Sequence, residues 1–421
     1  MVEIQIKYGK SKIPYEIDKK NLWEIVEAKN EPKGIEKSIN AKNEIKRAIQ
    51  NPINSPELSK MIKKNSKVVI TQDDHTRGTP GNIILPPILD LLNSCGVPDE
   101  NITIIFACGT HRAVKSEEQK NLVGEEVLER ITCISHNCDA LDLVELGTTS
   151  RGNKVEINAI AASADLIIGT GKCEYHYYAG FSGGRKTILP GISGRNTINR
   201  NHAFLIDDKA ITGNLIGNPV HEDMVETAKM TKLSFIVNIV QNTQKNIIRA
   251  FAGDFIAAHL EGTKLYDSLY RIKVKGMADI VLVGAGYPKD IDLYQGYKAL
   301  DNAQRIVRPG GVIVAALECK EGHGHKVFYE WAKKYRTLDE LEKQIKTNFE
   351  MGGHKAYYIA KILEKAKIIL ISEMNPKEVK NLFMLEPAKT IVDAMELAYT
   401  WTGREAKVTF MPNGTITLPN L

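Results

Sequence analysis

The stretch KVVITQDDHTRGTP, residues 67–80, passes from a β-branched apolar run into a cluster of polar and charged side chains, Asp73 to Arg77. Its first half shows no polar alternation, so it reads as a strand covered on both faces. NITIIFACGTH (101–111) and ADLIIGTGK (164–172) repeat the pattern, each apolar run ending in a polar, glycine-bearing loop. Between them, SEEQKNLVGEEVLERI (116–131) reads as one helix opened by Ser116, with acidic residues in its first turn. Strands alternating with helices predict an α/β fold with mostly parallel sheets. Ligands of such sheets bind outside the carboxyl ends of the strands, so the three polar clusters are expected to converge on one crevice.

Working outward, a chain of 421 residues exceeds one core, and two α/β domains are expected, 1–270 and 271–421. GDFIAAHLEGTKLYDSLYRIKV (253–274) reads as a long helix leading to the boundary. ADIVLVGAGYP (278–288), GGVIVAALE (310–318) and AKIILISEM (366–374) read as strands of the second domain, with helices over 338–349, 354–365 and 388–401. The first residues, MVEIQIKYGK, alternate like a strand. Near the end, KVTFMPNGTITLP carries Asn413-Gly414 between two alternating runs, which predicts a hairpin.

Hydrophobic residues at 43% and charged residues at 25% are those of a soluble globular protein. The net charge of +5 is spread along the chain without a basic tail, which argues against a nucleic-acid partner. No long apolar run predicts a membrane span, and the N-terminus lacks a signal-peptide core. Six cysteines without a C-x-x-C pair suggest neither a disulfide framework nor a zinc ribbon, and a reducing cytoplasm is expected.

The strand ends carry the chemistry. Arg77 suits a bidentate clamp on a carboxylate or phosphate, or a structural ion pair with its neighbouring aspartates. Thr79-Pro80 would open a helix whose N-terminus favours anions. GTHR places His111 at the second strand end, and His176 follows the third. Either histidine could be structural, but together, beside Lys186 and Arg77, they suggest acid/base work. His202, in NTINRNHAFL, falls on a helix as a core residue or a metal ligand. Gln295 and Lys298 share one helical face, and His323 and His325 have metal-compatible spacing without a confirming partner. GFSGGRKT approaches the phosphate-binding signature G-x-x-x-x-G-K-[ST], but Arg185 stands where that turn needs glycine. GAG at 284–286 lacks the third glycine of a dinucleotide fingerprint.

Taken in order between residues 67 and 325, DDHTRGTP, GTHR, CEYHYYAGFSGGRKTILPGISG, NTINRNHA and QGYKALDNA resemble the nickel-pincer-dependent lactate racemase family. The resemblance implies a racemase or epimerase of a 2-hydroxy acid, working by hydride transfer at an interdomain active-site cleft. It implies a nickel pincer nucleotide, pyridinium-3-thioamide-5-thiocarboxylic acid mononucleotide, joined to Lys186, with His202 as the protein ligand to nickel. His111 and His176 would be the acid/base pair, and Arg77, Gln295 and Lys298 would bind substrate. Asp74, Thr76, Gly183 and Gly184 are expected beside the cofactor, the glycines because they let it approach the backbone. Such a cofactor also implies cofactor-synthesis proteins as activating partners.

Removing the α-proton of a 2-hydroxy acid as a proton would create a dianion beside the carboxylate, and hydride transfer avoids that cost. Two histidines are then needed, one per enantiomer. Lactate-specific members carry a tryptophan in the second domain, whereas the tryptophans here are Trp23, Trp331 and Trp401. The corresponding region reads MGGHKAYYIAKIL, with His354, Lys355, Tyr357 and Tyr358, so malate-like and sugar-acid substrates stay open beside lactate. Two other classes remain at this point: a zinc hydrolase or lyase using His176 and His202, and a phosphate- or nucleotide-binding protein using GFSGGRKT.

Overall fold

The computed structural model describes residues 1–421, and the chain divides into two units, Glu31–Ser268 and Met1–Asn30 with Leu269–Leu421. The first thirty residues, expected in the N-terminal domain, belong to the other unit. The reason is pairing: strand Leu22–Ile25 adds in parallel to the edge of Val408–Met411.

In the unit Glu31–Ser268, six strands run in the order Ile247–Gly253, Leu233–Gln241, Leu166–Lys172, Val68–Asp73, Ile102–Ala107, Thr132–Ser135. All neighbours are parallel except the edge strand Ile247–Gly253. Successive side chains point to opposite faces, and both faces are filled. Ile70, Ile104, Ile168 and Val237 join one core with the helices Ser38–Gln50 and Gly81–Ser94. Val69, Ile105, Ile167 and Ile236 join another core on the opposite face. Each such side chain contributes about 1.5–3 kcal/mol by leaving water, which explains why the strands tolerate no polar alternation. The three strands whose ends carry the polar clusters lie side by side at the centre of the sheet.

The second unit holds a six-stranded, all-parallel sheet in the order Glu386–Ala388, Lys367–Ile371, Val307–Ala316, Ala278–Gly284, Val408–Met411, Leu22–Ile25. The hairpin Val2–Tyr8/Ser11–Ile17 buries Ile4, Ile6 and Ile17 with Ile280, Leu282 and Val314 of the sheet and Met395 of the helix Ile391–Thr402.

Three local expectations change. The segment 116–131 is two helices, Ser116–Val123 and Glu125–Arg130, parted at Gly124, whose φ of 84° is left-handed, and the first has Lys115 at its N-cap, the Lys115 N–H donating to Glu118 Oε2 at 2.9 Å. The long helix shortens to Ala257–Tyr270, because Gly253 still belongs to an edge strand and Arg271–Lys273 forms another. Asn413-Gly414 makes no hairpin. Val408–Met411 pairs with Ala278–Gly284, and Leu418–Asn420 pairs in parallel with Arg271–Lys273, so two partners distant in sequence outcompete the local turn. No helix is long and apolar enough to cross a membrane.

Candidate active site

At the end of Val68–Asp73, the half-buried Asp73 accepts the Thr79 hydroxyl at 2.6 Å, and removal from water raises its pKa. Asp74, only 2% exposed, accepts the Thr76 backbone N–H at 3.0 Å and the Thr76 hydroxyl at 2.6 Å through Oδ1. Its Oδ2 lies 2.6 Å from His111 Nδ1. Burial alone would raise the Asp74 carboxyl, but the His111 hydrogen bond and charge, with the charge of Arg77, hold it down at about 2. An ionised carboxylate only accepts, so His111 Nδ1 carries a proton, and in the neutral ring the lone pair then lies on Nε2. Asp74 and Thr76, expected beside the cofactor, are thus turned on each other and on His111.

His176 shows the opposite polarity. It sits in the two-stranded ribbon Tyr175–His176/Gly180–Phe181, stacked on Tyr177 at 5.0 Å, and its Nδ1 accepts the Ala179 N–H at 3.3 Å. In the neutral ring the proton therefore lies on Nε2. The two histidines offer a base and an acid at their outer nitrogens.

Arg77 is half-buried. Burial would lower its pKa, yet the charges of Asp74, Asp73 and Glu174 raise it, so it stays a cation. No carboxylate comes within ion-pair distance of its guanidinium, and Glu174 is paired instead with Lys172 at 2.9 Å. The structural ion pair weighed for Arg77 is absent, and its fork of donors is left for an anion.

Lys186 lies in the short turn Gly184–Thr187, 9% exposed, with its amine 5.8 Å above the Tyr178 ring. His202, 2% exposed on the helix Arg195–Ala203, meets the same ring at 5.1 Å, and His176 meets it at 4.5 Å. Burial, then the charge of Lys186, push the His202 pKa down to about 3. It is a neutral imidazole at physiological pH, the form that binds a metal. Tyr178 therefore joins the three groups, a role invisible in the run YHYY, where nothing ranks one aromatic above the next.

The loop is locked from beneath. Arg185, 1% exposed, donates to the carbonyls of Ala179 at 2.6 Å, Phe181 at 2.9 Å and Gly183 at 3.3 Å, and burial lowers its pKa to about 9. Gly183 and Gly184 have φ of 78° and 53°, and a Cβ would meet Asn238 Oδ1 at 2.7 Å and the His259 ring at 2.8 Å respectively. Gly184 N–H donates to Asn238 Oδ1 at 2.7 Å. The glycines answer to close packing within the protein, and the Gly184 N–H, which a phosphate cradle would turn on an anion, is taken by Asn238.

Gln295 and Lys298 stand half-buried on the helix Leu293–Ala303 of the other unit, where Asp292 caps the Gln295 N–H at 2.7 Å. His325 Nδ1 accepts the Val327 N–H at 3.2 Å, and His323 packs on Tyr329 at 4.8 Å. His325 thereby caps the helix Lys326–Lys334. No three His, Cys, Asp or Glu side chains cluster as a metal site, so zinc on His176 and His202 would lack a third protein ligand.

Residues 8–213 match the lactate racemase N-terminal domain and residues 273–418 the lactate racemase C-terminal domain. The lactate racemase of Thermoanaerobacterium thermosaccharolyticum is 33% identical over 422 residues, covering 98% of each chain. That of Lactiplantibacillus plantarum is 35% identical over 425 residues, covering 98% of this chain and 99% of its own. The structure of the T. thermosaccharolyticum lactate racemase apoprotein superposes with a TM-score of 0.92 at 33% identity over 100% of both chains. A Thermotoga maritima protein shares the fold alone, at 17% identity and a TM-score of 0.67 over 91% of this chain and 98% of its own. With both domains matched and relatives aligned end to end, this chain belongs to the lactate racemase family.

Proposed function

We propose that the protein racemises a 2-hydroxy acid, lactate or a close relative, with His111 and His176 as alternating acid and base. The observation that carries this reading is the Asp74–His111 bond beside an Arg77 cation that has no carboxylate partner. Arg77 would take the carboxylate through two parallel N–H donors. His111 Nε2 would then accept the hydroxyl proton of one enantiomer, while Asp74 steadies the resulting imidazolium. His176 would serve the other enantiomer after its Nε2 proton has moved to the product alkoxide. Gln295 and Lys298 are proposed as further hydrogen-bonding ligands of the substrate.

Lys186 and His202 fit a tethered nickel pincer nucleotide. A buried amine and a buried neutral imidazole on one tyrosine ring supply an attachment point and a single nitrogen donor, and such a group brings its remaining donors with it. Bound there, the group would accept the α-hydrogen as hydride and return it to either face of a 2-keto acid. Loading it requires the proteins that build it. Six unpaired thiols support a reducing, cytoplasmic setting.

The test is protein made in cells that synthesise the cofactor. Nickel near one equivalent, an adduct on Lys186 in the intact mass, and loss of optical rotation from L-lactate are expected. Full racemisation with an unmodified Lys186 would overturn the tether.

A further inference from the structure

The turn that carries His176 is braced from behind. Tyr178 and Ala179 are buried, and the peptide that joins them is engaged at both ends. Its N–H, that of Ala179, is the donor to His176 Nδ1 at 3.3 Å. Its carbonyl, that of Tyr178, accepts the side-chain amide of Asn218, Nδ2, at 2.8 Å. Asn218 is 0% exposed and is the N-cap of the helix Pro219–Met230, its Oδ1 accepting the backbone N–H of Val220 at 3.1 Å and of His221 at 3.2 Å. Its second amide hydrogen goes to the Asn214 carbonyl at 3.0 Å. These four bonds fix the amide's orientation, because the flipped group would set its NH₂ against two N–H donors. The same segment holds the next peptide of the turn: Gly213 N–H donates to the Gly180 carbonyl at 2.9 Å, and Gly180, at a φ of 76°, lies so close to the Asn214 carbonyl that a Cβ would collide with it.

We propose that Asn218 is a positioning residue for His176, holding the Tyr178–Ala179 peptide so that its N–H meets Nδ1 and the proton of the neutral ring is kept on Nε2. This rests on the reading of His176 as one of the acid/base pair. Hydrogen bonds in series polarise one another. The Val220 and His221 donors draw on Asn218 Oδ1, Asn218 Nδ2 draws on the Tyr178 carbonyl, and the Ala179 N–H becomes the stronger donor for it. The positive end of the helix acts in the same direction. Tyr177, stacked on the His176 ring at 5.0 Å, and Tyr178, edge-on at 4.5 Å, hold the plane of the ring. His111 and His176 are thus set by different devices, a carboxylate behind one and a peptide behind the other.

The test uses holoenzyme carrying ¹⁵N-histidine at mildly alkaline pH, where an imidazole is neutral and its ring-nitrogen shifts report the tautomer. The His176 signals are those lost in His176→Ala. Wild type should show Nδ1 unprotonated and Nε2 protonated. Asn218→Ser keeps a cap for the helix, since serine and asparagine cap about equally well, but it has no amide N–H for the Tyr178 carbonyl. It should spread His176 over both tautomers and lower kcat roughly ten- to hundred-fold with KM within about two-fold, nickel and the Lys186 adduct being unchanged. In acid-quenched single turnovers the enantiomer served by His111 should still give 2-keto acid at the wild-type rate, and only the return to the opposite enantiomer should slow. Loss of packing alone would slow both halves and leave the tautomer as it was, which would overturn the inference. So would a wild-type His176 with its proton on Nδ1, a result that needs no variant to fold. Unimpaired racemisation by His176→Ala would instead sink the reading of His176. An inactive His176→Ala beside an Asn218→Ser that behaves as wild type would leave that reading intact and sink the inference alone.

Discussion

Asp74→Asn isolates what the carboxylate does for His111. The side chain keeps its size, but its amide can donate to Nδ1, and the ring then carries its proton on Nε2, where the base should be. The Asp74 carboxyl is held at about 2 against an ordinary 3.8, and that shift corresponds to about 2 kcal/mol of favourable interaction shared among His111, Arg77 and Thr76. Alone this amounts to roughly thirty-fold in rate. Losing the base tautomer adds to it, so kcat/KM should fall by about 10²–10⁴. Enantiomers are equal in free energy, so kcat/KM must fall equally in both directions. Acid-quenched single turnovers should separate the halves: the enantiomer served by His176 should still yield 2-keto acid, and the other should not. Nickel content and the Lys186 adduct should be unchanged, and the double variant with His111→Ala should be no worse than His111→Ala alone. Racemisation within about three-fold of wild type would refute the assignment of His111 as an Asp74-directed base.

His202→Ala should lose nickel while His176→Ala keeps it, as read by metal analysis of purified protein; the reverse result would exchange their roles. α-Deuterated lactate racemised in H₂O should retain its deuterium, and complete washout after one turnover would replace hydride transfer by proton abstraction. Arg77→Ala should release free 2-keto acid as racemisation falls, because a keto acid held by fewer contacts escapes more often. Acid stability provides a further check through His202 and His259, both held neutral by burial with pKa values of about 3 against an ordinary 6.5. The unfolded chain binds the extra protons as pH falls below that ordinary value, so each histidine should cost about 2 kcal/mol of stability between neutrality and about pH 5. Urea midpoints should drop accordingly, and His259→Gln should flatten the dependence.

Local patterning carried much of this protein. Uninterrupted β-branched runs identified the central strands, because only a strand covered on both faces excludes polar residues so completely. Helical spacing put Gln295 and Lys298 on one face and His202 on a helix, and that much is written in consecutive residues. Which strands lie together is not. The order that sets Leu166–Lys172, Val68–Asp73 and Ile102–Ala107 side by side arises from packing both faces at once, and it is this order that brings Asp74 to His111. The same tertiary competition drew residues 1–30 into the other unit and replaced the Asn413-Gly414 hairpin by two parallel pairings. The deepest difference is electrostatic. A sequence shows that Arg77 neighbours two aspartates and that Arg185 sits in a glycine-rich loop, but whether each cation finds a carboxylate, a carbonyl or nothing depends on atoms supplied from elsewhere in the chain. Only the folded protein decides that Arg185 is spent on three carbonyls while Arg77 forms an ion pair with neither neighbouring aspartate.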